Sequence, residues 1–375
     1  MAELYIGLMS GTSMDGIDAA LVEIDQEQCR LLVRHEHPLP SALIPVLNRL
    51  CQASDNEIDL MATASTQLAI AFAEASKQLL KKAKVSAGQV TAIGTHGQTI
   101  RHFPPSITNT PGFSLQIAHP AYIADRTGID VIADFRTADM AAGGHGAPLV
   151  PAFHQTLFQS NNINRAIINI GGIANITWLP KSLTQQVVGF DTGPGNTLLD
   201  YWYQQHNSGH YDKNGDWGAS GTVQSSLLSN MLSDPYFRLP WPKSTGRETF
   251  NGKWLNNHLL NSSFKTQDIQ ATLCRLSALT IGNELLKLTR SAMDKQVEVY
   301  ICGGGARNTQ LMRDLQLCLP DINIKTTAAI GLDPDWVEAV AFAWLAKRFK
   351  HKQTGNLPAV TGAKQKKILG ALYPA

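Results

Sequence analysis

Asp191, a carboxylate next to an apolar run, is the first candidate catalytic residue in this sequence. Asp191 follows the apolar residues of a predicted strand and precedes the run Thr-Gly-Pro-Gly-Asn at 192–196. A carboxylate at a strand end can take a proton from a bound reactant, because side chains there face the ligand crevice of α/β folds. An Asx turn, in which the aspartate only accepts bonds from nearby backbone N–H groups, explains the pattern equally well.

Glu338 is a second candidate carboxylate. It lies within 333–344, a segment that predicts a buried helix nearly apolar on all sides. A carboxylate in such a helix needs a partner or a function. A capping box with Asp335 is the structural alternative, and a glycosidase pair with Asp191 is another chemical one.

A turn of small and hydroxyl residues at 10–18 is suited to a polyphosphate. Its backbone N–H groups and the hydroxyls of Thr12 and Ser13 can donate to phosphate, while Asp15 and Asp18 can hold hydrated magnesium. An ordinary hairpin turn explains it equally well. The turn leads into a predicted strand, whereas P-loops and dinucleotide fingerprints require a helix amino terminus.

The glycine triplet of 303–308 follows a predicted strand and opens a predicted helix. Its backbone can pack against an adenosine or donate to phosphate, although a tight strand-to-helix turn is a sufficient explanation by itself. Gly171 and Gly172 form another turn between two apolar strands. Together these turns predict one ligand-binding cleft.

The predicted elements that position these turns repeat along the chain. Strand, glycine-containing turn and strand occur at 5–24 and again at 165–179, about 160 positions apart by the count from Gly11 to Gly171. Long helices are predicted at 57–82 and 268–292. This indicates an internal duplication of an α/β unit.

Composition and length set the protein class. The 375 residues favour two domains, and 43% hydrophobic with 17% charged residues exclude a disordered chain. A formal net charge of +2 gives no electrostatic footprint for nucleic acid or membrane, so neither is an expected partner. Five scattered cysteines, no signal-peptide pattern and no long apolar stretch predict a soluble, cytoplasmic protein.

Five motifs together give the sequence a family resemblance. The segments 9–18, 95–99, 171–175, 190–196 and 303–308 resemble, in order, those of the anhydro-N-acetylmuramic acid kinase family. That resemblance covers nearly the whole chain, with 209–253 the part least well matched. It implies the sugar kinase, heat-shock 70 and actin superfamily, with two duplicated actin-like ATPase (ribonuclease H-like) α/β domains and an active-site cleft between them. We predict an N-terminal domain of 1–140 completed by 351–375, and a C-terminal domain of 141–350.

The resemblance also implies roles for individual residues. Asp191 is the expected base that activates water, and Asp15 is the candidate metal ligand. His96, Arg126 and Glu338 are candidates for sugar contacts, although a surface ion pair with Asp125 explains Arg126 equally well. The residues expected to bind ATP and its phosphates are Gly11, Thr12, Ser13, Met14, Asp15, Gly16, Ile17, Asp18, Gly171, Gly172, Asn175, Gly303, Gly304, Gly305 and Asn308.

The implied activity is ATP- and Mg²⁺-dependent phosphorylation, with hydrolytic ring opening, of 1,6-anhydro-N-acetylmuramic acid in cell-wall recycling. The family further implies a homodimer. The alternatives are an ordinary hexose or amino-sugar kinase and a nucleotide-switched binding protein. The first would phosphorylate a sugar hydroxyl directly, and the second would hydrolyse ATP without phosphorylating a sugar.

Overall fold

The computed structural model describes residues 2–11, 14, 16–26, 28–105, 112–260, 263–292 and 295–375. The chain divides into two compact units, and unit 1 comprises Met1–Leu157 and Trp336–Ala375. Unit 2 comprises Phe158–Asp335. Within the described ranges, no helix is both long and apolar enough to cross a membrane.

The strands of the described residues are β1 (Glu3–Ser10), β2 (Gly16–Asp25), β3 (Gln28–Pro38), β4 (Val90–Phe103), β5 (Phe113–Ile117), β6 (Val131–Ala133), β7 (Asn164–Ile170), β8 (Ile173–Leu179), β9 (Val188–Pro194), β10 (Val297–Cys302), β11 (Ile324–Thr326) and β12 (Ala371–Tyr373).

The helices are α1 (Leu43–Leu50), α2 (Glu57–Ala83), α3 (Pro120–Thr127), α4 (Thr137–Ala141), α5 (Val150–Phe158), α6 (Thr197–His206), α7 (Asp216–Ala219), α8 (Ser225–Leu232), α9 (Gly252–Leu259), α10 (Thr266–Ser291), α11 (Thr309–Cys318), α12 (Val337–Lys350) and α13 (Pro358–Thr361). Short 3-10 turns add Ala87–Gln89, Lys213–Gly215, Pro235–Arg238, Gly304–Arg307 and Thr327–Ile330.

The two units share one strand order. Unit 1 runs β12-β6-β4-β1-β2-β3, with β5 paired to β4, and unit 2 runs β11-β10-β7-β8-β9. In each unit the first three strands are antiparallel neighbours, and the next strand joins the first in parallel. The shared order confirms the predicted duplication and the α/β class.

Helices cover the sheets because the strands are apolar on both faces. In β1, Ile6 and Leu8 face a core that includes Phe72 of α2. In unit 2, a second core joins apolar residues of β7, β8 and β9 to α10. Each sheet is therefore a fixed platform from whose ends the turns project.

Helix α12 packs closely on the sheet of unit 1 through two glycines. A Cβ on Gly7 of β1 would overlap the Ala339 carbonyl oxygen, and one on Gly94 of β4 would overlap that of Phe342. The sequence-based division assigns 336–350 and 141–157 to the second domain, whereas the structure groups both with unit 1. For α12 the reason is this direct backbone packing. The apolar composition of the helix predicts that it is buried, but not which sheet it packs against.

Candidate active site

Two glycine turns of unit 2 are joined by hydrogen bonds. Gly171 and Gly172 link β7 to β8, while Gly195 and Asn196 link β9 to α6. The Gly195 N–H donates to the Gly172 carbonyl at 2.9 Å, and the Asn196 N–H donates to the Gly171 carbonyl at 2.9 Å. The Thr197 N–H also donates to the Gly172 carbonyl at 3.0 Å, so three backbone bonds hold the two turns against each other.

The glycine triplet lies against the end of β7. Gly303 has φ +81°, which favours glycine, and a Cβ there would overlap the Asn169 side-chain oxygen. A Cβ on Gly305 would overlap the Ile170 side chain. Since β7 and β10 are parallel neighbours, their carboxyl ends bring the Gly171 turn and the triplet together.

The residues after the triplet already have structural partners. The Asn308 side-chain oxygen accepts the Leu311 N–H at 3.0 Å and caps α11, so this atom is engaged in the helix cap. Arg307 Nε donates to Asp335 Oδ2 at 2.9 Å. The capping box that was one alternative for Asp335 and Glu338 is not formed, because the N-cap of α12 is Trp336 and has no side-chain cap bond.

Asp191 lies within β9, where the sequence predicts a strand end. Across the sheet it pairs with Asn175 of β8, which in turn pairs with Asn169 of β7. Directly paired residues share a face, so these three form a polar row next to the glycine turns. The Asp191 Oδ2 accepts the backbone N–H of Thr245 at 3.0 Å, a long-range bond that a local Asx turn does not explain.

In unit 1, the turn between β1 and β2 is held by a buried amide. Gln98 of β4 is fully buried; its Nε2 donates to the Gly11 carbonyl at 3.2 Å. Ser10 Oγ lies 2.7 Å from Gln98 Oε1 and 3.0 Å from the Gly16 carbonyl oxygen, and its single proton can be donated to either acceptor. The predicted phosphate turn is therefore anchored at both ends to the sheet.

Some of the predicted phosphate-turn residues lie outside the described part of the chain, namely Thr12, Ser13 and Asp15. Among the described ones, the side chains of Met14 and Ile17 are buried. These two can therefore present only backbone atoms to a ligand. Asp18 lies near the start of β2, opposite Met9 of β1.

His96 is buried with hydrogen-bond partners at both ring nitrogens. Nδ1 is 3.0 Å from the Gly97 carbonyl, and Nε2 accepts from Arg136 Nη2 at 2.9 Å. Burial, then the Arg136 charge, hold the pKa of His96 well below its usual value. The neutral ring thus donates from Nδ1 and accepts at Nε2, so both nitrogens have partners within unit 1. A sugar could therefore contact His96 only through the carbon edge or the face of its ring.

Arg136 also affects a neighbouring imidazole. Burial, followed by the charges of Arg136 and His145, lowers the pKa of His102 to about 4. Arg136 Nη1 donates to the Gly146 carbonyl at 2.7 Å. At neutral pH this corner of unit 1 therefore combines neutral His96 and His102 with one guanidinium charge.

The predicted sugar contacts lie on three different elements of unit 1. Arg126 is exposed in the last turn of α3, five residues before β6 begins. His96 is in β4 and Glu338 is in the first turn of α12, half-buried. The His96 ring lies 4.9 Å from the ring of Phe342, one helical turn after Glu338 on α12.

Sequence reasoning missed several residues that support the turns. Asn169 interrupts an apolar strand, a usable signal, and Gln98 lies inside a motif that was singled out. Arg136 and Thr245 carry no spacing pattern that marks them. Their roles appear only when the chain is folded.

The fold and these turns define a duplicated α/β protein of the actin-like type, with glycine turns suited to a phosphate-bearing ligand. Residues 3–375 match the family model described as Anhydro-N-acetylmuramic acid kinase, and the chain belongs to this family.

Two proteins of this family are similar in sequence to this chain over nearly its full length. The chain is 51% identical over 372 residues to the anhydro-N-acetylmuramic acid kinase of Shewanella halifaxensis, covering 99% of this chain and 98% of that protein. It is 52% identical over 371 residues to that of Shewanella loihica, with the same coverage. A solved ROK family glucokinase from Streptomyces griseus aligns with a TM-score of 0.38 and 11% identity over 92% of this chain and 99% of that chain.

Proposed function

We propose that this protein is an ATP-dependent kinase that hydrolytically opens 1,6-anhydro-N-acetylmuramic acid and phosphorylates O6. The products are N-acetylmuramic acid 6-phosphate and ADP, in the recycling of cell-wall sugars. The observation that carries the proposal is the family match over residues 3–375. Relatives at about half identity over the full length support it.

Asp191 is the proposed catalytic base. A water proton passes to the carboxylate while the water oxygen forms a bond to the anomeric carbon. The bond from that carbon to O6 breaks, O6 takes the γ-phosphoryl group, and the bond between that group and ADP breaks. The Thr245 N–H supports this role because it fixes Oδ2 and so orients the carboxylate.

The glycine turns are proposed to bind the phosphates of ATP, and the support from each unit is separate. In unit 2, the Gly171 turn and the triplet at 303–305 offer backbone close to a ligand at adjoining strand ends. In unit 1, Gln98 and Ser10 hold the ends of the turn between β1 and β2, and backbone N–H groups of this turn would donate to phosphate. Backbone donors suit this near-neutral protein, because they bind anions without a surplus of basic side chains.

Mg²⁺ fits this donor set as a partner of ATP. Among the described residues, no group of three or more His, Cys, Asp or Glu side chains could hold a metal ion. Magnesium in kinase sites needs only one or two carboxylates, since phosphate oxygens and water complete its shell. Asp15 and Asp18 are the proposed carboxylates, and the ion would offset phosphate charge during transfer.

Contacts of His96, Arg126 and Glu338 with the sugar remain proposals, as do a homodimer and a cytoplasmic location. The five cysteines are all free thiols, which supports a reducing compartment. Neither nucleic acid nor a membrane is a proposed partner.

The proposal is tested by turnover of the anhydro-sugar with and without ATP and magnesium. We expect equal amounts of ADP and sugar phosphate, and no opened sugar when ATP is omitted. Opened sugar without ATP would indicate a glycosidase, and ATP hydrolysis without sugar phosphate would indicate a nucleotide-switched protein. N-acetylmuramic acid, which has a free 6-hydroxyl, is the comparison substrate, and its preferred use would favour an ordinary sugar kinase.

A further inference from the structure

The segment 236–245 covers the backbone of Asp191 on the free edge of β9. Strand β9 ends the sheet of unit 2, so its outer N–H and carbonyl groups need partners from elsewhere. The Asp191 N–H donates to the Lys243 carbonyl at 3.1 Å. The Tyr236 hydroxyl donates to the Asp191 carbonyl at 2.7 Å, and the Thr245 N–H donates to Oδ2 at 3.0 Å. Three bonds from one segment thus fix one residue.

A buried ion pair anchors this segment to helix α10. Lys243 Nζ lies 2.9 Å from Glu284 Oε1, with side-chain exposures of 2% and 4%. The same ammonium group lies 4.9 Å from the centre of the Tyr236 ring. Burying two charges is costly unless their geometry is satisfied, so the pair strongly restricts where the segment can lie.

Aromatic packing holds the segment at two positions, Tyr236 and Trp241. The Tyr236 ring meets Phe250 edge-on at 5.5 Å, and the Trp241 ring stacks on Phe190, the neighbour of Asp191, at 5.5 Å. Burial and the nearby Asp191 charge raise the pKa of Tyr236, so its hydroxyl keeps the proton that it donates. The segment is therefore rigid at each point where it touches β9.

We propose that Tyr236 and Lys243 are positioning residues that hold Asp191 in place for proton transfer. This inference rests on the proposed role of Asp191 as base. Neither side chain needs to touch the substrate: Tyr236 holds the Asp191 carbonyl, and Lys243 holds the segment that supplies the other two bonds. Loss of either contact lets the carboxylate shift, and a small misplacement of a catalytic group lowers the rate of the chemical step.

The test compares Tyr236→Phe and Lys243→Met with matched controls. Tyr236→Phe keeps the ring and removes only the hydroxyl; its control is Tyr203→Phe, a tyrosine of α6. Lys287→Met is the control for Lys243→Met, because Lys287 also lies 2.9 Å from Glu284 but is half-exposed and lies outside the segment 236–245. Sugar phosphorylation is measured for kcat and both KM values, and folding is followed by thermal melting.

We expect kcat to fall about tenfold in Tyr236→Phe and further in Lys243→Met, with KM for ATP and sugar within about twofold of wild type. The controls should keep wild-type kcat. If Tyr236→Phe melts like wild type and retains its kcat, the inference is overturned, even should Lys243→Met fail to fold. Failure of the wild-type enzyme to phosphorylate the sugar would instead refute the proposed function.

Discussion

Replacing Asp191 by Asn removes the proposed base with little effect on the surrounding fold. An amide oxygen can still accept the Thr245 N–H, and the bonds of the Asp191 backbone to Lys243 and Tyr236 are unchanged in kind. General base catalysis contributes about 100-fold to 10,000-fold. We therefore expect kcat to fall at least about 100-fold, equivalent to about 2.7 kcal/mol of transition-state stabilisation.

ATP binding separates this loss from a general defect. Removal of a negative charge cannot weaken attraction for phosphate, so calorimetry should give an ATP affinity equal to or higher than that of wild type. Asp216→Asn, an exposed carboxylate of α7 in the same unit, is the control and should keep full turnover. An Asp191→Asn enzyme within threefold of wild-type kcat would remove Asp191 as the base.

Three further substitutions test the glycine contacts and a buried imidazole. Gly303→Ala places a Cβ against Asn169 and should weaken ATP binding, measured by calorimetry, by about tenfold. Gly331→Ala is the control, because Gly331 also has a positive φ, +91°, but has open space around it, so ATP affinity should not change. Equal ATP affinities of the two variants would contradict the proposed role of the triplet. Gly7→Ala should lower the free energy of unfolding, measured in urea, by about 2 kcal/mol or more, because its Cβ overlaps α12. Gly88→Ala, where a Cβ meets open space, should lower it by less than about 1 kcal/mol. Similar losses in the two variants would argue against close packing of α12 on β1. Burial lowers the pKa of His154 to about 3, so between pH 6.5 and 3 the unfolded chain binds the extra proton and stability falls with falling pH. His154→Gln should therefore flatten that slope by about 1.4 kcal/mol per pH unit in unfolding titrations, and an unchanged slope contradicts this.

The repeated pattern of apolar strands and glycine turns was legible in the sequence because it is local. The turn at 171–172 and the triplet at 303–305 were both found from their flanking strands. The parallel pairing of β7 with β10, which brings them together, joins residues more than a hundred positions apart. The family resemblance, which the full-length match confirms, supplied what periodicity alone does not.

Long-range contacts explain what the sequence did not reveal. Thr95–Gly97 has the polar, glycine-containing composition of a turn, yet it continues β4, because β1 and β5 pair with this stretch and the residues after it. Tyr236 and Lys243 lie in 209–253, outside the five motifs that carry the family resemblance. They contact Asp191 only because folding lays this segment along the edge of β9. Glu338 likewise has a helical position that fits two explanations until the N-cap of α12 is known.

The central claim is that water opens the anhydro bridge while O6 receives the phosphoryl group, and oxygen-18 water tests this most directly. The enzyme, ATP, magnesium and anhydro-sugar are mixed in labelled water, and the sugar phosphate is analysed promptly by mass spectrometry, before exchange through the open-chain form. We predict one labelled oxygen at the anomeric position and none in the phosphate or at O6. Sugar phosphate without label at the anomeric hydroxyl would contradict hydrolytic opening.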